Sequence, residues 1–201
     1  MRATTPAPVG PRRPGRPRSD TATTAVLDAA YRLSAELGLR GASMQAIAGA
    51  SGVSKMTIYK WWPSRLHLLI DAYLRQATAM LPLSESVPPL EAIHAHALRY
   101  VGALQGDLGR VQLAVLAECL AEHGDSELFV AHYLRFRRDL GLSVIRRGQR
   151  DGSIEAGRPA EALYDQIYGT IFYRCQFALK GLNRAFVRSL VDSVLLPVNA
   201  P

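Results

Sequence analysis

The sequence predicts an all-α protein of about nine helices, an N-terminal three-helix unit followed by a C-terminal helical bundle. Three observations predict it. Apolar residues recur at helical spacing along most of the chain, and no stretch alternates with period two for long enough to form a strand. Helix starts and stops punctuate it, with Ser43, Ser54, Ser64 and Asn183 as N-caps and Gly38, Gly52, Gly152 and Gly181 as stops. The chain has 201 residues, 48% of them hydrophobic and 20% charged, enough to bury a sizeable core without being globally disordered.

Met1 to Ser19 holds five prolines and five arginines and little that can be buried, which predicts a flexible basic arm over 1–19. A first helix runs from Asp20 or Thr21 to about Leu37, with an apolar stripe through Val26, Ala30 and Leu33. Ser43 caps a second helix carrying Met44, Ile47 and Ala48. Gly52 supplies the positive-φ turn with Val53 beneath it, and Ser54 caps a third helix over Lys55 to Trp61. Ile58 faces inward there, and Lys55, Thr57, Tyr59 and Lys60 are left outside. Of the adjacent tryptophans, about 100° apart on a helix, Trp62 is expected in the core.

Pro63 ends the third helix and Ser64 caps a fourth reaching about Leu81, long enough to enter the next layer. Pro82, Pro88 and Pro89 follow. Helices over Glu91–Gln105, Asp107–His123, Ser126–Arg150, Pro159–Lys180 and from Asn183 to before Pro197 make up the bundle. The expected organisation is an arm at 1–19, a helix-turn-helix unit at 20–66 and a bundle at 67–201.

Charge is confined to one end. Residues 1–75 contain eleven basic and four acidic side chains, which accounts for the whole formal net charge of +7. A basic surface around a helix, a tight turn and a short helix bearing Lys, Thr and Tyr points to binding of a polyanion, and duplex DNA in particular.

The run Ala46-Ile47-Ala48, Gly52-Val53-Ser54, Thr57-Ile58-Tyr59, Trp62 and Ser64-Arg65 resembles the signature of the TetR (tetracycline-repressor) family of transcriptional regulators. Gly38-Leu39-Arg40-Gly41 also fits, and the resemblance spans about Thr21 to Tyr73. Arg65 stands where the family usually has Lys, and Ser51 where it usually has Ala. Ile167 to Leu195 is more loosely similar to the final helix pair of one subgroup. The resemblance implies a homodimeric repressor with an all-α regulatory domain that binds a small-molecule effector and releases a palindromic operator. Within the arm, Pro14-Gly15-Arg16-Pro17-Arg18 resembles an AT-hook, which would set Arg16 and Arg18 in a narrow minor groove.

Lys55, Thr57 and Tyr59 are candidates for base edges in the major groove, with Gln45 reaching from the preceding helix. Lys60, Arg65 and Ser43 at its helix start are candidates for phosphate contacts. A dimer is expected through the last two helices, on Leu163, Ile167, Gly169, Thr170, Ile171, Phe186, Leu190, Val191 and Val194. Arg174 lies among these and is expected either to pair with Asp165 or Asp192 or to snorkel outward. An effector pocket could be lined by His96, Tyr100, Phe129, His132, Tyr133, Phe136, Tyr168 and Phe172.

No catalytic motif competes: G-x-S-x-G, H-E-x-x-H, Walker and G-x-G-x-x-G patterns are absent. Cys119 and Cys175 match no metal spacing and are expected as reduced thiols. Cys119 with His123, or His94 with His96, forms no convincing ligand set. No metal or cofactor is expected, nor a membrane span, and a cytoplasmic location follows by default. The competing expectation is a DNA-binding protein with no small-molecule effector, acting architecturally or through a protein partner. A solid bundle would favour that alternative, and a cavity of a few hundred Å³ would favour ligand control.

Overall fold

The computed structural model describes residues 19–84, 86–124 and 126–196. The N-terminal arm, with Arg16 and Arg18, lies outside the described residues. Nine helical runs follow one another, and no strand occurs among the described residues: α1 (Asp20–Gly41), α2 (Met44–Ser51), α3 (Lys55–Trp61), α4 (Arg65–Met80), α5 (Pro89–Leu104), α6 (Asp107–His123), a run made of α7 (Glu127–Phe129), a π turn (Val130–Leu134) and α8 (Arg135–Asp151), then α9 (Ala160–Gln176) and α10 (Arg184–Leu195). None of these helices is long and apolar enough to cross a membrane.

The caps read from the sequence are made. The Ser43 hydroxyl accepts from the Ala46 N–H at 3.1 Å, Ser54 from Thr57 at 3.2 Å, and Ser64 from His67 at 3.3 Å. The Asn183 Oδ1 accepts from the Phe186 N–H at 3.0 Å. Each satisfies a backbone donor that a helix start otherwise leaves without a partner. Gly52 takes φ 70°, a left-handed conformation that a side chain would strain, and this allows the sharp turn from α2 to α3. Gly38 breaks the first helix at the expected place, and one further turn follows before Ala42.

Two elements depart from expectation. The helix expected over Ser126–Arg150 contains a π turn, in which the Arg135 N–H donates to the Val130 carbonyl five residues back. Such a turn inserts one extra residue into the spiral. The helix expected to reach Lys180 stops at Gln176, and Ala178 then adopts φ 47° in the turn that leads to α10.

The core is in two parts, and they do not divide where the chain does. The first joins Val26, Ile47, Ile58, Trp62, Leu66 and Tyr73 to Leu108, Val111, Val115 and Cys119 of α6 and to Phe129 and Tyr133. Helix α6 therefore packs on α1 and α4, and α4 also meets the π turn. The second part is built by α5, α8, α9 and α10, and Tyr100 lies against both. Close approach sets one residue type here: a Cβ on Gly141 of α8 would run into the Tyr164 ring of α9. Glycine lets these helices close up beside the Tyr164 ring.

The packing corrects the dimer reading. Leu163, Ile167, Ile171, Val191 and Val194 are buried within the single chain, where α9 packs on α5 and α8 and α10 packs on α5 and α9. Their stripe is apolar because the chain's own helices cover it, a distinction that periodicity cannot make. What stays outside is Gly169, part of Thr170, Phe186 and Leu190, and Tyr173 and Phe177, which are 57% and 63% exposed. Arg174 pairs with neither expected carboxylate. Its guanidinium donates to the Lys180 carbonyl and lies over the Phe186 ring at 4.5 Å, while Asp165 and Asp192 are engaged by Arg138 and His94.

Candidate nucleic-acid interface and interior cavity

Helix α3 is held from beneath by Ile58, which is fully buried, and Trp62, whose Nε1–H donates to Asp71 Oδ2 of α4 at 2.8 Å. Anchored on that side, the helix presents Lys55, Tyr59 and Lys60 outward, with the Lys55 ammonium 5.9 Å from the centre of the Tyr59 ring. Gln45 is exposed on α2. Ser43 uses its hydroxyl oxygen as a cap and keeps its proton to donate. Thr57 is less available, because its hydroxyl bonds that of Ser54 at 2.8 Å.

The sequence reading passed over Met56, which is 77% exposed on the same face. It is two residues from buried Ile58, roughly 200° away around the helix, and so points outward. An apolar side chain there suits the methyl group of thymine.

Arg65 is placed differently from the reading. Its guanidinium donates to the Leu39 carbonyl at 2.6 Å and pairs with Glu118 of α6. It ties the end of α1 and the start of α4 to the helix behind them, and those partners occupy donors that a phosphate contact would need.

A cavity of about 390 Å³ lies between the C-terminal end of α4 and helices α5, α6, the α7–α8 run and α9. His96, Tyr100, Phe129, Tyr133, Tyr168 and Phe172 of the expected pocket line it. His132 and Phe136 do not. Phe129, Tyr133 and Arg137 share the inner face of their helix at successive steps of four, and His132 and Phe136 are each one residue back, about 100° away. His132 is instead edge-on to His67 of α4 at 5.3 Å, with Nδ1 3.7 Å from Asp71, and Phe136 is 47% exposed. The reading missed Gln112, Tyr164 and Arg137. The last was legible, since it continues the inner face four residues past Tyr133.

The polar part of the cavity is a buried chain. The Arg137 Nη2 donates to the Leu81 carbonyl at 2.6 Å and to His96 Nε2 at 2.9 Å, and His96 Nδ1 lies 2.7 Å from the Tyr168 hydroxyl. The Tyr73 hydroxyl donates to Gln112 Oε1 at 2.6 Å. Burial, followed by the nearby Arg137 and Arg99 charges, lowers the His96 pKa from 6.5 to about 3. Burial likewise raises Tyr73, Tyr133 and Tyr168, so all three stay neutral phenols.

A pH dependence follows. Between about pH 6.5 and 3 the unfolded chain protonates His96 while the folded one does not, so stability is lost as pH falls through that window, by up to about 1.4 kcal/mol per pH unit. His96→Gln should flatten this limb in urea titrations at pH 7, 6 and 5, and an unchanged slope would show that other groups govern it.

Among the described residues no cluster of His, Cys, Asp and Glu is suited to a metal ion. Cys119 is buried, Cys175 half-buried, and both are free thiols whose pKa values burial raises.

Comparison with known proteins agrees with this geometry. Residues 26–72 match the family described as bacterial regulatory proteins, tetR family, and residues 90–194 match the tetracyclin repressor-like, C-terminal domain. The uncharacterised HTH-type transcriptional regulator YdeS of Bacillus subtilis is 30% identical over 186 residues, 92% of this chain and 94% of that protein. The crystal structure of the TetR family transcription regulator SCO0332 superposes with a TM-score of 0.77 at 24% identity, covering 87% of this chain and 97% of that one. AibR, solved in complex with isovaleryl coenzyme A and operator DNA, superposes at 0.57 and 16% identity over 88% of this chain and all of that one. The last two similarities concern the fold alone. With one family model on the capped helix pair, another on the bundle, and a relative matching nearly end to end, the chain belongs to the TetR family of transcriptional regulators.

Proposed function

We propose that this regulator is a homodimeric repressor that binds a palindromic operator through α3 and is released when a small molecule enters the interior cavity. The observation that carries the reading is the pairing of an anchored, basic, outward α3 with a cavity of about 390 Å³ that reaches the end of α4, the helix beneath α3. That volume lies within the range of small-molecule sites. A solid bundle would have favoured control without an effector, and the cavity speaks against it. AibR, with ligand and operator in one structure, supports the reading by analogy of fold. Lys55, Met56 and Tyr59 read bases, Gln45 reaches a base from α2, and Lys60 and Ser43 hold the backbone. Arg16 and Arg18 extend the contact into the minor groove. Two chains meet through the outer faces of α9 and α10, where Gly169 leaves room for close approach and Tyr173, Phe177, Phe186 and Leu190 supply apolar area.

The test is fluorescence anisotropy on DNA from upstream of the protein's own gene, with stoichiometry read at saturation. Two chains should bind each site. Lys55→Ala and Tyr59→Ala should each weaken binding by about 10–100-fold, the range of a base-contact loss of about 1–3 kcal/mol, with Tm nearly unchanged. Unaltered affinity, or a collapse in Tm, would remove α3 from the reading surface.

A further inference from the structure

Among the described residues Arg137 is the buried side chain that carries a full charge, at 7% exposure, and no described carboxylate lies within 4.0 Å of it. The acidic residue that shares the cavity lining, Asp165, is held by Arg138 at 3.2 and 2.7 Å. Among the described residues Arg137 has only neutral partners, the Leu81 carbonyl and His96. The Leu81 carbonyl belongs to the C-terminal end of α4, so the helix dipole offsets part of the charge. A buried cation without a counter-charge is costly, and this one lies on the wall of an open cavity.

The proton positions along the buried chain fix what the cavity offers. Guanidinium has no acceptor, so His96 Nε2 must accept from Arg137, and the imidazole proton sits on Nδ1. That N–H donates to the Tyr168 oxygen, which leaves the Tyr168 hydroxyl proton free to donate. Gln112 has its amide oxygen occupied by Tyr73 and shares its N–H side with the Tyr100 hydroxyl. The polar end of the cavity is therefore rich in donors and positive, while Phe129, Phe172 and Tyr164 line the rest.

We infer that the cavity takes a hydrophobic monocarboxylate, with its head group on Arg137 and Tyr168 and its body between the aromatic walls. The inference rests on the effector reading of this cavity and deepens it. Of the two arginines on the lining, Arg138 is already paired with Asp165, which leaves the Arg137 guanidinium to match one carboxylate, in the planar paired geometry that both groups favour. A phosphate monoester would bring close to two negative charges to one positive charge and leave the excess buried. Binding also reaches α4: a carboxylate competes with the Leu81 carbonyl for the guanidinium, and so loosens the C-terminal end of the helix whose other end supports α3.

The test uses the full chain and matched probes, a series of monocarboxylates from butyrate to laurate with phenylacetate, 4-phenylbutyrate and 1-naphthoate, each beside its primary amide, and phenyl phosphate. Thermal shift and calorimetry report binding, and anisotropy on the operator reports release. At least one acid should raise Tm and bind at least about tenfold more tightly than its amide, the size expected when a charge-assisted hydrogen bond is lost. Arg137→Met should abolish the difference between acid and amide. Tyr168→Phe, which removes one oxygen and keeps the ring, should weaken the acid about tenfold and the amide by less. Amides binding as well as acids would overturn the inference and leave the cavity an effector site. Preference for phenyl phosphate over every carboxylate would overturn the choice of head group. A tightly bound acid that does not release DNA would uphold the inference and overturn the effector reading. No shift from any probe would overturn the inference and leave the effector reading to the operator titration.

Discussion

Trp62→Ala is expected to lower Tm by roughly 6–20 °C, the equivalent of about 3–5 kcal/mol for loss of a buried tryptophan in a domain of this length. Trp62 is 2% exposed, stands edge-on to Trp61 with ring centres 5.8 Å apart, and bonds Asp71 through its indole N–H. It sits where α3 gives way to α4, so the cavity left behind would lie under the DNA-reading helix. Trp62→Phe keeps most of the apolar contact and loses the hydrogen bond, and should cost only about 0.5–1.5 kcal/mol because Asp71 can turn to water. Differential scanning calorimetry of the two variants checks the order. Equal losses would show that the indole N–H, and not its packing, holds the junction.

The second large effect is expected at Arg65. Arg65→Met keeps the length and apolar stem of the side chain and removes its bonds to the Leu39 carbonyl and Glu118. Arg65 and Glu118 are 28% and 17% exposed, so solvent screens the pair only in part, and the cost should be about 1–3 kcal/mol. In a double-mutant cycle with Glu118→Gln the two changes should be non-additive by about 1 kcal/mol, as for groups in direct contact. Under the proposed reading, the same substitution should blunt operator release at saturating effector, because this pair links α6 of the cavity wall to the start of α4. A cycle that closes to zero, with release intact, would make the contact incidental.

The elements were legible in the sequence because their signals are local. Ser43, Ser54, Ser64 and Asn183 stand one residue before their helices, and each cap bonds within three residues, so no knowledge of the rest of the chain was needed. Ile58 inside and Lys55, Tyr59 and Lys60 outside follow from one helical wheel. The cavity was legible in part, since aromatic residues at helical spacing mark an inner face but not which face closes over an opening. His132 and Phe136 were assigned to it on residue type, and one step of the spiral puts them elsewhere. Arg137 was missed for the opposite reason, that an arginine is expected in water. The dimer surface was the least legible. Leu163, Ile167 and Val191 read the same whether covered by their own chain or by a second one, and what decides is long-range packing between α9, α10, α5 and α8.

The π turn at Val130–Leu134 gives the cavity wall slack. An ordinary helix between Phe129 and Arg137 has its pitch dictated by its own backbone, and its side chains cannot be re-aimed without tilting the whole rod. A helix carrying a surplus residue can hand that residue one position along by exchanging hydrogen bonds, with both ends left in their packing. Taking the surplus out altogether would swing everything beyond it by about 100°. Tyr133 lies within that stretch and Arg137 just past it, so under the effector reading the two residues that would follow a guest of altered shape are mounted beside the surplus residue.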